Sequence, residues 1–176
     1  MKKEIIKIPF LIFSLILLVF FYLLLIERNP SELPSALIDK KIPQFSGNIL
    51  LKDEIFNSNE QIKNKITLIN FFATWCKPCL KEHEYIMRFG NNKEIKLIGI
   101  NYKDNPIKTK AWLEKLGNPY SSVILDKKGK IGIDFGVYGI PETFVVNSNG
   151  VIKYRYVGPI SDKEYDKINS MIKKID

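Results

Sequence analysis

Apolar and polar positions follow three rhythms along this chain, and each predicts a different kind of element. From Phe10 to Ile26 every residue except Ser14 is apolar or aromatic, an uncharged stretch of 17 residues. At about 1.5 Å per residue, a helix of that length nearly spans a hydrocarbon core of about 30 Å. Such a helix is apolar on every side, which does not suit a small soluble domain, so the stretch is expected to be a transmembrane anchor. Residues 27–44 then place Pro30, Pro34 and Pro43 among polar residues, the composition of a spacer.

From Phe45 onward short apolar runs alternate with stretches of helical spacing. Phe45–Leu51 suits a short strand or hairpin, and Ser58-x-x-Gln61 has the form of a capping box opening a brief helix. Ile66–Phe72 is short, apolar and rich in β-formers, the pattern of a buried central strand. After Cys76, Leu80, His83, Ile86, Met87 and Gly90 recur at three-to-four spacing until Gly90-Asn91-Asn92 ends the helix.

Ile95–Asn101 reads as a second strand. Asn105 caps a further helix with Pro106 at its first position, Ile107, Ala111 or Trp112, and Leu116 on its apolar side, and Gly117 past its end. Ser121–Leu125 is another strand, and Ile131–Val137 a short helical or irregular connector. Thr143–Val146 and Val151–Val157 flank Asn147-Ser148-Asn149-Gly150 as a hairpin. Ser161-x-x-Glu164 opens a last helix with Tyr165, Ile168 and Ile172 on one face. The order is β, α, β, α, β, β, α, an α/β arrangement.

A length of 176 residues with 45% hydrophobic and 26% charged composition allows one ordinary domain beside the anchor. The expected division is a cytoplasmic N-terminus at 1–9, the anchor at 10–26, the spacer at 27–44 and the domain at 45–176. Lys2, Lys3 and Lys7 precede the anchor against the single acid Glu4, so the positive-inside rule holds the N-terminus in the cytoplasm and the domain outside. A cleaved signal peptide is the competing reading. It calls for a shorter apolar region and a small-residue cleavage site, whereas Ile26 is followed by Glu27-Arg28-Asn29-Pro30. Of the formal charge of +8, residues 1–9 supply +2. The other lysines are scattered and form no stripe or module of a nucleic-acid reader, which leaves a solvated surface, held at most near anionic lipid.

The chemistry lies in Thr74-Trp75-Cys76-Lys77-Pro78-Cys79, which holds the chain's two cysteines. A buried strand ends at Phe72 and Cys76 stands where a helix begins. Unpaired N–H groups and the positive end of the helix dipole favour a thiolate there, and Lys77 acts in the same direction. Cys76 is therefore the expected nucleophile, and Cys79, one turn later and pointing inward, the resolving thiol. Pro78 stiffens the loop. Zinc needs about four ligands, but the chain offers two cysteines and the lone His83. A copper carrier needs more sulfur or a remote histidine. A purely stabilising disulfide usually closes a longer loop.

The strings FFATWCKPC and a later Ile140-Pro141 resemble the thioredoxin superfamily. WCKPCLKEH and GVYGIPETFVVNSNGVIKYRYVG resemble, more narrowly, the membrane-tethered DsbE/CcmG family of thiol:disulfide interchange proteins. The resemblance covers roughly residues 35–175. It implies a thioredoxin-like fold, with a central mixed β-sheet flanked by helices and preceded by one transmembrane helix. It also implies a reductant in the periplasm, fed by a membrane-embedded thiol reductase and acting on apocytochrome c or a cytochrome c maturation protein. No cofactor is implied, and no haem binds to the chain itself. A monomer is expected. The alternatives are a tethered reductase of broader specificity and a non-catalytic apocytochrome-binding module.

The resemblance also assigns side chains. General thioredoxins carry a buried acid at the position of Asn70. Asparagine cannot move a proton, so Glu82, which matches the acid of the family's C-x-x-C-x-x-E pattern, becomes the candidate proton relay beside Cys76 and Cys79. Glu142 follows the proline in the PETF motif and is expected at the active-site rim, against an alternative as an exposed strand-end acid. Pro141 is expected in cis, exposing the Ile140 backbone for pairing with an extended substrate. Trp75, and in the same way Tyr138, are expected on the contact surface. His83, two turns from Cys76, is a weaker candidate for a general base.

Overall fold

A computed structural model describes residues 7–25 and 36–175. The chain divides into two units, 1–30 and 31–176. In the first, α1 (Lys7–Leu25) is helical throughout, with every side chain exposed. By length and composition it is able to cross a membrane. Lys2, Lys3, Glu4, Ile26 and the Glu27–Ser35 part of the expected spacer lie outside the described residues.

The second unit runs β1 (Ser46–Asn48), β2 (Ile55–Asn57), α2 (Ser58–Gln61), β3 (Ile66–Phe72), α3 (Lys77–Gly90), β4 (Ile95–Tyr102), α4 (Pro106–Leu116), β5 (Ser122–Asp126), α5 (Lys130–Asp134), β6 (Glu142–Val146), β7 (Ile152–Val157) and α6 (Asp162–Ile172). β1 and β2 form a small hairpin, and the other strands form one mixed sheet in the order β5-β4-β3-β6-β7. β3, β4 and β5 are parallel, as their helical crossovers require, while β6 and β7 run antiparallel to their neighbours.

β3 is buried at every position because both faces of the sheet are covered. Successive side chains point to opposite faces, so Leu68 and Phe72 enter one core with Ile86 and Phe89 of α3, Leu113 of α4 and Ile168 of α6. Ile69 and Phe71 enter the other core with Phe45, Phe56, Phe135 and Phe144. Each fully buried side chain of this size contributes roughly 1.5–3 kcal/mol. The two cores fix β3, and with it the turn that follows.

Helix ends follow local chemistry where backbone geometry demands a particular residue. Asn105 accepts from the N–H groups of Ile107 and Lys108, and Gly117 ends α4 at φ 94°, a left-handed conformation that favours glycine. At the end of α3, a side chain on Gly90 would come within 2.6 Å of the Pro119 carbonyl oxygen. Other details depart from expectation. Asn57, not Ser58, caps α2, because the Ser58 hydroxyl is buried and accepts from Phe45 N–H. Ser161 stands at the start of α6, but its hydroxyl bonds the Glu164 carboxylate and no backbone N–H.

The buried stripes are also rotated from those expected. In α3, Cys79, Glu82, His83, Ile86 and Phe89 face inward, which turns Leu80 out to solvent. In α4, Thr109 and Leu113 are buried and Ile107 is exposed. The spacer expected to reach residue 44 ends earlier. Asp39 N–H bonds the Ile152 carbonyl, Ile42 N–H bonds that of Gly150, and Lys41 pairs with Val151, so these residues extend the edge of the sheet.

Candidate functional site

Cys76 is the N-cap of α3 and Cys79 lies in its first turn. The two sulfurs are bonded at 2.04 Å with Cα atoms 5.3 Å apart, the oxidised form of the pair. Cys79 N–H donates to Cys76 Sγ over 3.1 Å, so a free helix-end donor already points at the outer sulfur. The Ile140 carbonyl oxygen lies 3.6 Å from the same sulfur, and the Ile140–Pro141 peptide bond is cis. Trp75 and Tyr138 are exposed and Ile140 is half-buried. The arrangement presents a reducible disulfide beside an open stretch of backbone, the geometry that thiol–disulfide exchange needs.

The turn before Cys76 is held from the β4–α4 loop. Asp104 accepts from Thr74 N–H at 2.6 Å, Thr74 Oγ1 at 3.0 Å, Asn101 Nδ2 at 3.2 Å and Asn105 N–H at 2.7 Å. The Trp75 indole N–H donates to the Lys103 carbonyl over 3.2 Å. Partial burial works against the Asp104 carboxylate, but these bonds outweigh it and hold its pKa below the ordinary value. Its stabilisation is therefore present above the ordinary aspartate pKa and lost as pH falls through the lower folded value. Asp104→Ala is expected to cost about 1–2 kcal/mol at neutral pH in urea denaturation, a figure discounted for partial exposure. Asp104→Asn, which keeps one acceptor, is expected to lose less. An alanine variant as stable as the parent would show that Asp104 does not support the turn.

Behind the thiols lies a buried polar network. Asn70 Nδ2 donates to Glu82 Oε1 at 2.8 Å and to Thr143 Oγ1 at 3.1 Å, while Tyr120 O–H donates to Asn70 Oδ1 at 2.8 Å. Glu82 Oε2 accepts from Ile160 N–H at 3.0 Å. Burial pushes the Glu82 pKa from 4.5 up to about 8, against the opposing hydrogen bonds from Ile160 and Asn70. Burial also raises the Tyr120 phenol well above its ordinary value, with a further contribution from Glu82. Burial thus brings the Glu82 carboxyl close to the ordinary range of a thiol.

Two sequence candidates are placed elsewhere. Glu142 is neither at the rim nor exposed: it is fully buried, on the sheet face opposite Glu82. The reason is strand alternation. Thr143 points toward Asn70 and α3, so Glu142 and Phe144 point the other way, where Arg155 Nη2 and Nε meet Glu142 Oε2 at 2.7 and 2.8 Å. Burial raises the Glu142 pKa and Arg155 opposes that rise. His83 is buried against Trp112, with ring centroids 4.4 Å apart and Nε2 3.1 Å from the Gly117 carbonyl oxygen. It ties α3 to the end of α4, and burial lowers its pKa.

Sequence reasoning missed Asp104, Thr143, Tyr120 and Arg155. Arg155 carried a readable signal, a charged residue in a strand at the same parity as a buried core position. The other three are polar residues of ordinary type whose partners lie 30, 73 and 50 positions away. Among the described residues, no group of three or more His, Cys, Asp or Glu side chains is arranged to hold a metal ion.

The Redoxin family profile matches residues 38–172. The thiol:disulfide interchange protein DsbE of Vibrio cholerae is 38% identical over 170 residues, covering 95% of this chain and 92% of the relative. That of Escherichia coli is 36% identical over 173 residues, with the same coverage of 95% and 92%. A crystal structure of a thiol:disulfide interchange protein of the thioredoxin family from Chlorobium tepidum aligns with a TM-score of 0.62 at 28% identity, over 75% of this chain and 94% of that one. The fold is thioredoxin-like, with a central mixed sheet flanked by helices. The chain belongs to the Redoxin family, as a DsbE-type thiol:disulfide interchange protein and thus a thiol-disulfide oxidoreductase.

Proposed function

We propose that the protein is a tethered reductant of cytochrome c maturation, reducing disulfides of apocytochrome c or of a maturation partner on the periplasmic side of the cytoplasmic membrane. The observation that carries the reading is the placement of Cys76 at a helix N-cap, with Cys79 N–H on its sulfur and the Ile140 backbone beside it. α1 is the single-pass anchor, with its N-terminus in the cytoplasm. A membrane-embedded thiol reductase supplies two electrons and returns the Cys76–Cys79 disulfide to the dithiol.

In the forward reaction the Cys76 thiolate attacks one sulfur of the substrate disulfide. A mixed disulfide forms and the first substrate thiolate leaves. Cys79 gives its proton to the Glu82 carboxylate and attacks Cys76 Sγ; the mixed disulfide breaks and the second substrate thiolate leaves. The substrate gains two electrons and leaves as two thiolates; these take up one proton from solvent, replacing the one Cys76 lost on ionising, and one that Glu82 returns through solvent, and Cys76–Cys79 becomes the disulfide. Trp75 and the Ile140 backbone, next to Pro141, contact the substrate segment. Glu142 is too deeply buried to do so.

Replacing Cys79 with serine removes the second attack, so substrate remains attached at Cys76. In the native cell the trapped species is expected to be apocytochrome c or a cytochrome-maturation protein, identified by mass spectrometry after non-reducing electrophoresis. A wide mixture of envelope proteins would instead make the chain a reductase of broad range and overturn the specific role.

A further inference from the structure

The segment that carries Ile140 to the sulfur is tied to α5 at its start, where Gly136 N–H and Val137 N–H donate to the Ile133 and Gly132 carbonyls at 2.9 and 2.8 Å, but beyond Val137 little holds it from outside. Residues 137–141 form neither helix nor strand, and a side chain added at Gly136 or Gly139 would meet nothing within 4 Å. Glycines increase the entropy lost on ordering such a segment. Its support comes from beneath. Arg155 Nη2 donates to the Gly136 carbonyl at 3.0 Å, and Tyr138 N–H donates to Glu142 Oε1 at 3.4 Å. The guanidinium carbon lies 4.9 Å from the centroid of the exposed Tyr138 ring. The Arg155–Glu142 pair, at 2.7 Å and with side chains 6% and 0% exposed, thus grips the segment at both residues flanking Val137.

A buried ion pair is a costly way to obtain stability alone, since apolar residues of similar volume usually do as well or better. Its distinctive product is a fixed geometry. We infer that Glu142 and Arg155 are positioning residues that hold the Gly136–Ile140 segment in register for an extended polypeptide beside Cys76, and so select peptide disulfides over small ones. The inference rests on the proposed pairing of substrate with the Ile140 backbone.

The test compares full-length reduced protein acting on two substrates: a synthetic extended peptide with one internal disulfide, and hydroxyethyl disulfide, which has no backbone to pair. Arg155→Lys keeps the charge but loses the fork that reaches both Glu142 and Gly136. It is expected to lower kcat/KM for the peptide about tenfold or more, mainly through KM, and to leave the rate with hydroxyethyl disulfide within about twofold. The double variant Glu142→Gln/Arg155→Met removes the buried cation while keeping similar volume, and is expected to show the same selective loss. Equal losses on both substrates, or an unchanged peptide KM in a folded double variant, would overturn the inference. Wild-type protein with no preference for the peptide would overturn the Ile140 pairing itself, a failure distinct from that of the ion pair.

Discussion

Replacing Cys76 with serine is expected to lower kcat/KM for protein-disulfide reduction by about four orders of magnitude or more, because a hydroxyl at this site cannot form the mixed disulfide. The fold is expected to persist: Cys76 is a helix cap, and serine is a favoured residue there, able to accept the Cys79 N–H now directed at sulfur. The measurement is single-turnover reduction of a peptide disulfide, with circular dichroism to verify folding. In cells, holocytochrome c should fall and be restored by a small thiol reductant. Normal cytochrome levels without added thiol would reject the maturation role, while residual turnover in vitro would reject Cys76 as nucleophile.

Glu82→Gln is expected to give the second large effect, and it separates two consequences of one carboxyl. The folded pKa, about 8, exceeds the ordinary 4.5, so between those values the unfolded chain releases a proton that the folded chain keeps. The stability conferred by the protonated form is complete below about pH 4.5 and is lost as pH rises through about 8. Urea denaturation on either side of that interval should show the parent losing stability, on the order of a few kcal/mol, relative to the glutamine variant. A parallel pH profile in the two proteins would refute the shift. In turnover, loss of the base should slow attack by Cys79 about a hundredfold and let mixed disulfide accumulate. An unchanged resolution rate would exclude Glu82 as the proton acceptor.

The same substitution bears on Asn70. Ile160 N–H can only donate, so the proton of a neutral Glu82 belongs on Oε1, facing Asn70. Asn70 must then turn its oxygen toward that proton and its amide nitrogen toward Tyr120, whose hydroxyl can accept as well as donate. The side chain introduced by Glu82→Gln meets the same requirement by offering its carbonyl to Ile160 and its amide to Asn70, so the network remains satisfied without the charge.

How much was legible before the structure depended on how local the cause was. β3, the start of α3 at Cys76, the Asn105–Gly117 limits of α4 and the hairpin around Asn147–Gly150 are set by apolar runs, caps and turn residues within a few positions. The cap of α2 escapes a local reading because Phe45, 13 residues from Ser58, claims the hydroxyl. The domain begins earlier than composition suggests because pairing of residues 39–42 with the β6–β7 hairpin is a long-range event. Glu142 is buried on the sheet face opposite Glu82, not at the expected rim, although the alternation of Glu142, Thr143 and Phe144 contains the answer once one of them is assigned. The Asn70 network was half legible: the missing acid pointed to Glu82, but nothing nearby in sequence announced Tyr120 or Thr143.

The central sheet acts as a partition between two kinds of control. Glu82 and the thiols lie on one side of it, and Glu142 with Arg155 on the other. On the roles proposed for these residues, proton handling and partner choice are adjustable by separate substitutions, and a lineage of such proteins is free to change which polypeptides it serves while leaving the acid–base behaviour of its cysteines intact.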